Sequence, residues 1–88
     1  RRAVWLLRHG EPQPVRVTAV EATRLTARRE GVRIQYLPAD GAGLERSERH
    51  TDSEIVELAR QALRAKRTVL LLVDPRRPRR TLWIESLL

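Results

Sequence analysis

Arg76, Arg77, Arg79 and Arg80, in the run Pro75-Arg76-Arg77-Pro78-Arg79-Arg80, are the side chains of this sequence best suited to recognition chemistry. Four guanidinium groups set this closely repel one another. The repulsion is relieved by phosphates or carboxylates, which the forked N–H donors of arginine grip in pairs. An acidic protein partner is the first expectation, and a nucleic-acid backbone followed by a basic arm is the alternative. The plain reading of the same run is a solvated turn in an arginine-rich chain. Of the 18 basic residues all but Lys66 are arginine, and the net charge is +7. Base stacking is poorly provided for, since Trp5, Tyr36 and Trp83 are the only aromatic residues.

A histidine next to an arginine at the end of an apolar run, in Leu7-Arg8-His9-Gly10-Glu11, is a second candidate for phosphate chemistry. The run resembles the Arg-His-Gly-Glu signature that follows the first strand in the histidine phosphatase family. That resemblance implies a phosphorylated nucleophile at His9 and a phosphate ligand at Arg8. It covers five residues of the chain, and His50 is the only other histidine. Phosphatase-like chemistry at His9 is therefore held as a second alternative to the two binding readings, and a non-enzymatic domain is expected.

Other chemistries lack their residues. With no cysteine there is no disulfide, no thiolate metal ligand and no thiol nucleophile. Asp40, Glu45, Glu48 and Asp52 are hard-cation ligands by type, but they lack the spacing of a calcium loop and alternate with Arg46 and Arg49. Gly41 and Gly43 are not followed by the Gly-Lys-Ser/Thr of a phosphate-cradling loop. No metal and no cofactor is expected.

The elements that would carry these residues follow from hydrophobic period. Ile55, Leu58, Ala59, Ala62 and Leu63 recur at helical spacing within residues 52–66, and Thr51 with Glu54 fits a capping box. Residues 68–73 are apolar throughout and stop at Asp74-Pro75, as in a strand buried on both faces. Residues 81–87 resume as its hairpin partner, so the arginine run becomes the hairpin tip. Upstream, residues 3–8 read as a strand and the Gly10 to Pro14 cluster as a turn. Residues 15–27 alternate as a second strand, with a helix over 18–30 as the alternative. A turn with Gly31 in a left-handed conformation then leads into Val32, Ile34 and Tyr36. Residues 38–49 read as an exposed loop. The expected fold is one α+β domain over residues 1–88, a mainly antiparallel five-stranded sheet in the order β-β-β-α-β-β with one amphipathic helix packed on it.

This arrangement leaves apolar side chains on both faces of the sheet. Trp5 and Leu7 oppose Val4 and Leu6, while Trp83 opposes Leu82 and Ile84. One helix covers a strip about 10 Å wide, and five strands at about 4.8 Å span roughly 24 Å. Either the sheet curls on itself with the tryptophans filling its mouth, or a second copy covers the remainder. The homodimer is preferred, with Trp5, Leu7 and Trp83 at the interface. The longest apolar run, 69–73, falls far short of the roughly 18 residues a spanning helix needs. No membrane contact is expected, and the chain reads as cytoplasmic.

Overall fold

The computed structural model describes residues 2–24 and 30–88. Chain order is α1 (Arg2–His9), β1 (Glu11–Arg24), β2 (Glu30–Pro38), β3 (Arg46–His50), α2 (Ser53–Ala65), β4 (Thr68–Val73), β5 (Thr81–Leu82) and a closing 3-10 turn (Ile84–Leu87). The five strands form one antiparallel sheet in the order β3-β2-β1-β4-β5. The α+β class, the five-stranded antiparallel sheet and the helix between third and fourth strands are as expected from the sequence, and the strand expected at Val32, Ile34 and Tyr36 is present, but the strand read over residues 3–8 is a helix and the strand at residues 46–50 was not expected.

Residues 3–8 are helical, and the strand read there is corrected. A short apolar run carries no usable period, so strand and helix are equally compatible with it. The helix wins because the Gly10 N–H reaches the Leu6 carbonyl at 2.8 Å, closing a last turn that holds Arg8 and His9 at the negative end of the dipole. Leu6 alone is buried against the sheet, while Val4, Trp5 and Leu7 are exposed.

The missing strand comes from the stretch read as a loop. Arg46–His50 pairs with β2, placing Arg46 opposite Tyr36, Glu48 opposite Ile34 and His50 opposite Val32. It has no apolar residue, so hydrophobic alternation could not reveal it. The turn read over residues 10–14 is likewise the start of β1, paired with β4 from Glu11 to Arg16. Prolines are tolerated there for a geometric reason. The Pro14 carbonyl accepts from the Ala39 N–H at 2.9 Å, so Pro14 turns its N–H-less nitrogen to the same side, where β2 has already ended.

The strand reading of residues 18–24 holds against the helix, and β1 runs to Arg24 opposite Glu30. Residues 25–29, where the expected strand end and part of the following turn fall, lie outside the described residues. Gly31 sits inside β2 opposite Thr23 rather than at a left-handed turn position. A bulge between Val17 and Ala19 bends β1, and such bulges increase local twist and coiling.

That curl makes one core. Val15, Val17, Ile34, Tyr36, Val69, Leu71 and Trp83 meet Ala59 and Ala62 of α2, whose small side chains let the helix approach the concave face. Asp52, rather than Thr51, caps α2: its carboxylate accepts from the Glu54 N–H at 2.9 Å. The expected strand over residues 81–87 shrinks to Thr81–Leu82, after which the chain turns so that Trp83 enters the core at 1% exposure.

Candidate functional site

The arginine tip is built around Asp74, a carboxylate only 5% exposed. One of its oxygens accepts from the backbone N–H groups of Arg76 (2.9 Å) and Arg77 (3.3 Å). The Asp74 N–H donates to the Arg80 carbonyl, the Arg77 N–H to the Asp74 carbonyl and the Arg80 N–H to the Arg77 carbonyl. Two successive turns therefore lock residues 74–80 onto the β4–β5 pairing of Val73 with Thr81. Short side chains of this kind commonly organise turns through the backbone two residues on. With the backbone held, Arg76, Arg77 and Arg79 project into solvent and Arg80 is half-buried.

Ion pairing elsewhere sharpens the contrast. Arg33 meets Glu21, Arg64 meets Glu57 and Arg67 meets Glu85. None of the ion pairs among the described residues engages a tip arginine. The four charges are held on a fixed turn with no side-chain ion pair among the described residues, and holding them there costs mutual repulsion that an anion would offset.

Behind the tip lies a half-buried hub that sequence reasoning missed. Glu48 of β3 faces inward and takes four donors. His50 Nε2 (2.8 Å) and Trp83 Nε1 (3.0 Å) reach one oxygen, and Thr81 Oγ1 (2.7 Å) and the Tyr36 hydroxyl reach the other. An ionised carboxylate offers about four lone-pair sites, so its accepting capacity is filled, and His50 Nε2 must carry the proton it donates. Burial by itself pushes the Glu48 carboxyl up, but the hydrogen bonds from His50, Tyr36, Trp83 and Thr81 outweigh it and hold the group at about 2. Tyr36 is driven well above the ordinary tyrosine range, by burial first and then by its bond to Glu48. The Trp83 ring stands edge-on to Tyr36 (5.8 Å, 89°) and His50 (5.6 Å, 79°).

Since β3 and β5 are opposite ends of the strand order, the Glu48 bonds to Thr81 and Trp83 join the two edges of the sheet. Beside this seam opens a cleft of about 520 Å³ lined by Tyr36, Leu44, Glu45, Arg46, Ser47, Glu48 and Arg79. Arg79 of the tip thus also belongs to the wall of the β3 cleft.

The acidic residues considered as cation ligands have other work. Glu45 accepts from Thr18 Oγ1 at 2.8 Å, Asp40 from the Ala42 N–H at 2.9 Å, Asp52 caps α2 and Glu48 is the hub. Among the described residues no three metal-ligating side chains cluster. Gly41 and Gly43 adopt left-handed conformations in the connection to β3.

Arg8 and His9 end a helix, whereas the phosphatase resemblance implied the mouth of a strand. His9 is exposed, with its ring 5.2 Å from that of Trp5, and His50 is bound to Glu48. Of the three residues expected at a dimer interface, Trp5 and Leu7 are exposed on α1 and Trp83 is interior. The premise of two open apolar faces is corrected accordingly: the curled sheet closes over Trp83, and α1 lies over the other side of β4, where Leu72 is 8% exposed and its Cβ closely faces Gly10. No helix among the described residues is long and apolar enough to cross a membrane. Comparison with known protein families, with curated proteins and with solved structures finds no match.

Sequence reasoning passed over Glu48 because it weighed the acidic residues only as cation ligands. One signal was available. Tyr36 and Trp83 sit on inward-facing positions and each carries a polar hydrogen that needs a buried acceptor.

Proposed function

We propose that this chain is a non-enzymatic interaction domain that engages an acidic partner through Arg76, Arg77, Arg79 and Arg80. The observation that carries the reading is the Asp74-clamped turn, which fixes four arginines without an ion pair among the described residues. Backbone pinned in advance lowers the ordering cost of binding. An acidic protein surface is favoured over single-stranded nucleic acid because Tyr36 and Trp83 are interior, leaving Trp5 of α1 as the single exposed aromatic side chain.

The test is binding of polyglutamate and of a random-sequence DNA duplex at about 50 and 200 mM salt, with wild type and with the four tip arginines changed to alanine. Polyglutamate affinity is expected to fall about tenfold or more in the variant and to weaken with salt. Tighter duplex binding with a steep salt dependence moves the function to the nucleic-acid alternative. Failure of both probes at low salt removes the tip as a binding site.

A homodimer is a second part of this proposal, now resting on α1 alone. Val4 (51%), Trp5 (41%) and Leu7 (53%) are exposed together on that helix. Light scattering that gives a 10.2 kDa particle at micromolar concentration overturns it.

A further inference from the structure

We propose that the free edge of β3, residues Arg46–His50, accepts an extended acidic peptide as a sixth strand of the sheet. The inference rests on the acidic-partner reading above and names the form that partner takes.

The two ends of the sheet are finished differently. Beyond β4 the edge is covered: β5 pairs with Leu72 and Val73, the Leu70 N–H donates to Glu85 Oε2 at 2.7 Å, and the Thr68 carbonyl accepts from Arg67 at 3.1 Å. Proteins commonly cover edges in this way because unpaired strand edges recruit other strands. At the other end β3 makes main-chain pairs with β2 alone and is tied to the β5 end through the Glu48 side chain, and Arg46, Ser47 and Glu48 of β3 line the 520 Å³ cleft. Main-chain pairing along such an edge supplies affinity for an extended segment, and side-chain positions beside it supply selectivity.

Charge selects the occupant. On the outer face of the sheet, Glu21 of β1 lies opposite Arg33 of β2, and Arg33 lies opposite Arg49 of β3. Arg33 leans back to Glu21 at 3.4 Å, its Nε finds no acceptor, and Arg49 enters none of the ion pairs among the described residues. Like charges directly opposite one another destabilise a sheet, so the row Glu21-Arg33-Arg49 calls for a carboxylate at the next position. At the cleft end Arg46 and Arg79 both line the wall, and Leu44, 86% exposed, offers an apolar contact. The carboxylates of this edge are already engaged, Glu48 by four donors and Glu45 by Thr18. A second copy laid edge to edge would therefore add arginines without an unengaged carboxylate, and an acidic peptide is the complementary strand.

The probe is a fluorescein-labelled eight-residue peptide of alternating Thr and Glu, with one version N-methylated at every Thr and another at every Glu. In an added strand alternate amides face the neighbouring strand, so one methylated peptide is expected to lose about tenfold or more in affinity and the other to stay within about threefold. Arg49→Glu, exposed and outside the core, is expected to weaken the Thr-Glu peptide and to strengthen an alternating Thr-Lys peptide. Failure of the parent peptide to bind, or equal binding by both methylated versions, overturns the edge proposal. So does preference for a DNA duplex, or a dimer in light scattering that Arg49→Glu abolishes. The two readings separate in a variant with Arg76, Arg77 and Arg80 changed to alanine, which leaves Arg79 at the cleft. Loss of binding there, with no effect of methylation in wild type, leaves the tip reading standing and the edge fallen. Unchanged binding with one-sided methylation sensitivity does the reverse.

Discussion

Glu48 Oε1 accepts the Trp83 indole N–H at 3.0 Å across 35 residues of chain, tying β3 at one end of the sheet to the segment that follows β5 at the other. The bond serves both partners. It lets a large ring enter the core with its polar hydrogen satisfied, and it contributes one of the four donors that keep a half-buried carboxylate ionised. Removing the carboxylate leaves four polar groups without their acceptor. Glu48→Ala is expected to cost about 3–5 kcal/mol, a large share of the stability of a small domain. Glu48→Gln should cost about 1–2 kcal/mol, because the Tyr36 and Thr81 hydroxyls can turn to accept from the new amide while its oxygen still faces His50 and Trp83. Urea unfolding followed by tryptophan fluorescence measures both, and a glutamine variant no better than alanine would refute the hub.

Acid should loosen the same seam. Glu48 sits at about 2 in the folded state against its ordinary 4.5, so the unfolded chain binds this proton first as pH falls. Its contribution is fully present above about 4.5 and is lost as pH drops through about 2. The shift corresponds to on the order of 3 kcal/mol. Tyr36 acts at the other extreme: its raised value means a contribution present below the ordinary 10.0 and lost at higher pH. Comparing urea midpoints at pH 7 and pH 3 isolates the Glu48 part, since Glu48→Gln should lose less stability on acidification than wild type. Parallel losses in the two proteins would place the acid sensitivity elsewhere.

What could be read from the sequence depended on whether a residue announced its position through apolar period. Helix α2 and strand β4 did, because Ala59, Ala62, Val69 and Leu71 lie on faces that the core selects. Residues 3–8 did not, because an apolar stretch of that length fits either period and Leu6 alone turned out to be buried among its large side chains. Strand β3 was hidden for the opposite reason. Its half-buried residues are the polar Glu48 and His50, and Glu48 is held there by hydrogen bonds from Thr81 and Trp83, which come from distant parts of the sequence. The arginine tip was visible as composition, whereas its rigidity comes from Asp74, which the sequence offered only as a strand terminator.

Gly10 reports on how α1 is attached. A Cβ at this position would lie 2.6 Å from the Leu6 carbonyl oxygen and 3.0 Å from the Leu72 Cβ, so the last turn of α1 must open and shift away from β4 to admit it. Gly10→Ala is expected to cost about 1–3 kcal/mol. Hydrogen exchange should locate the damage, with amides of residues 6–10 losing protection and those of β1 and β2 keeping theirs. Unchanged exchange at residues 6–10 would mean that α1 is not held to β4 by this contact.

Asp74 separates the number of charges on the tip from their arrangement. Asp74→Ala removes the acceptor of the Arg76 and Arg77 N–H groups and leaves all four arginines in place. Losing a side-chain acceptor of two backbone donors costs about 1–2 kcal/mol, as at a helix cap. Asp74→Asn retains an acceptor oxygen and should recover most of that loss. If the turn matters because it holds the arginines in advance of binding, Asp74→Ala should weaken polyglutamate binding several-fold, even though removing a carboxylate raises the net charge from +7 to +8, one acidic residue fewer. Electrostatics alone predicts the opposite sign. Stronger binding by the alanine variant would show that charge, and not the clamped turn, governs recognition at this tip.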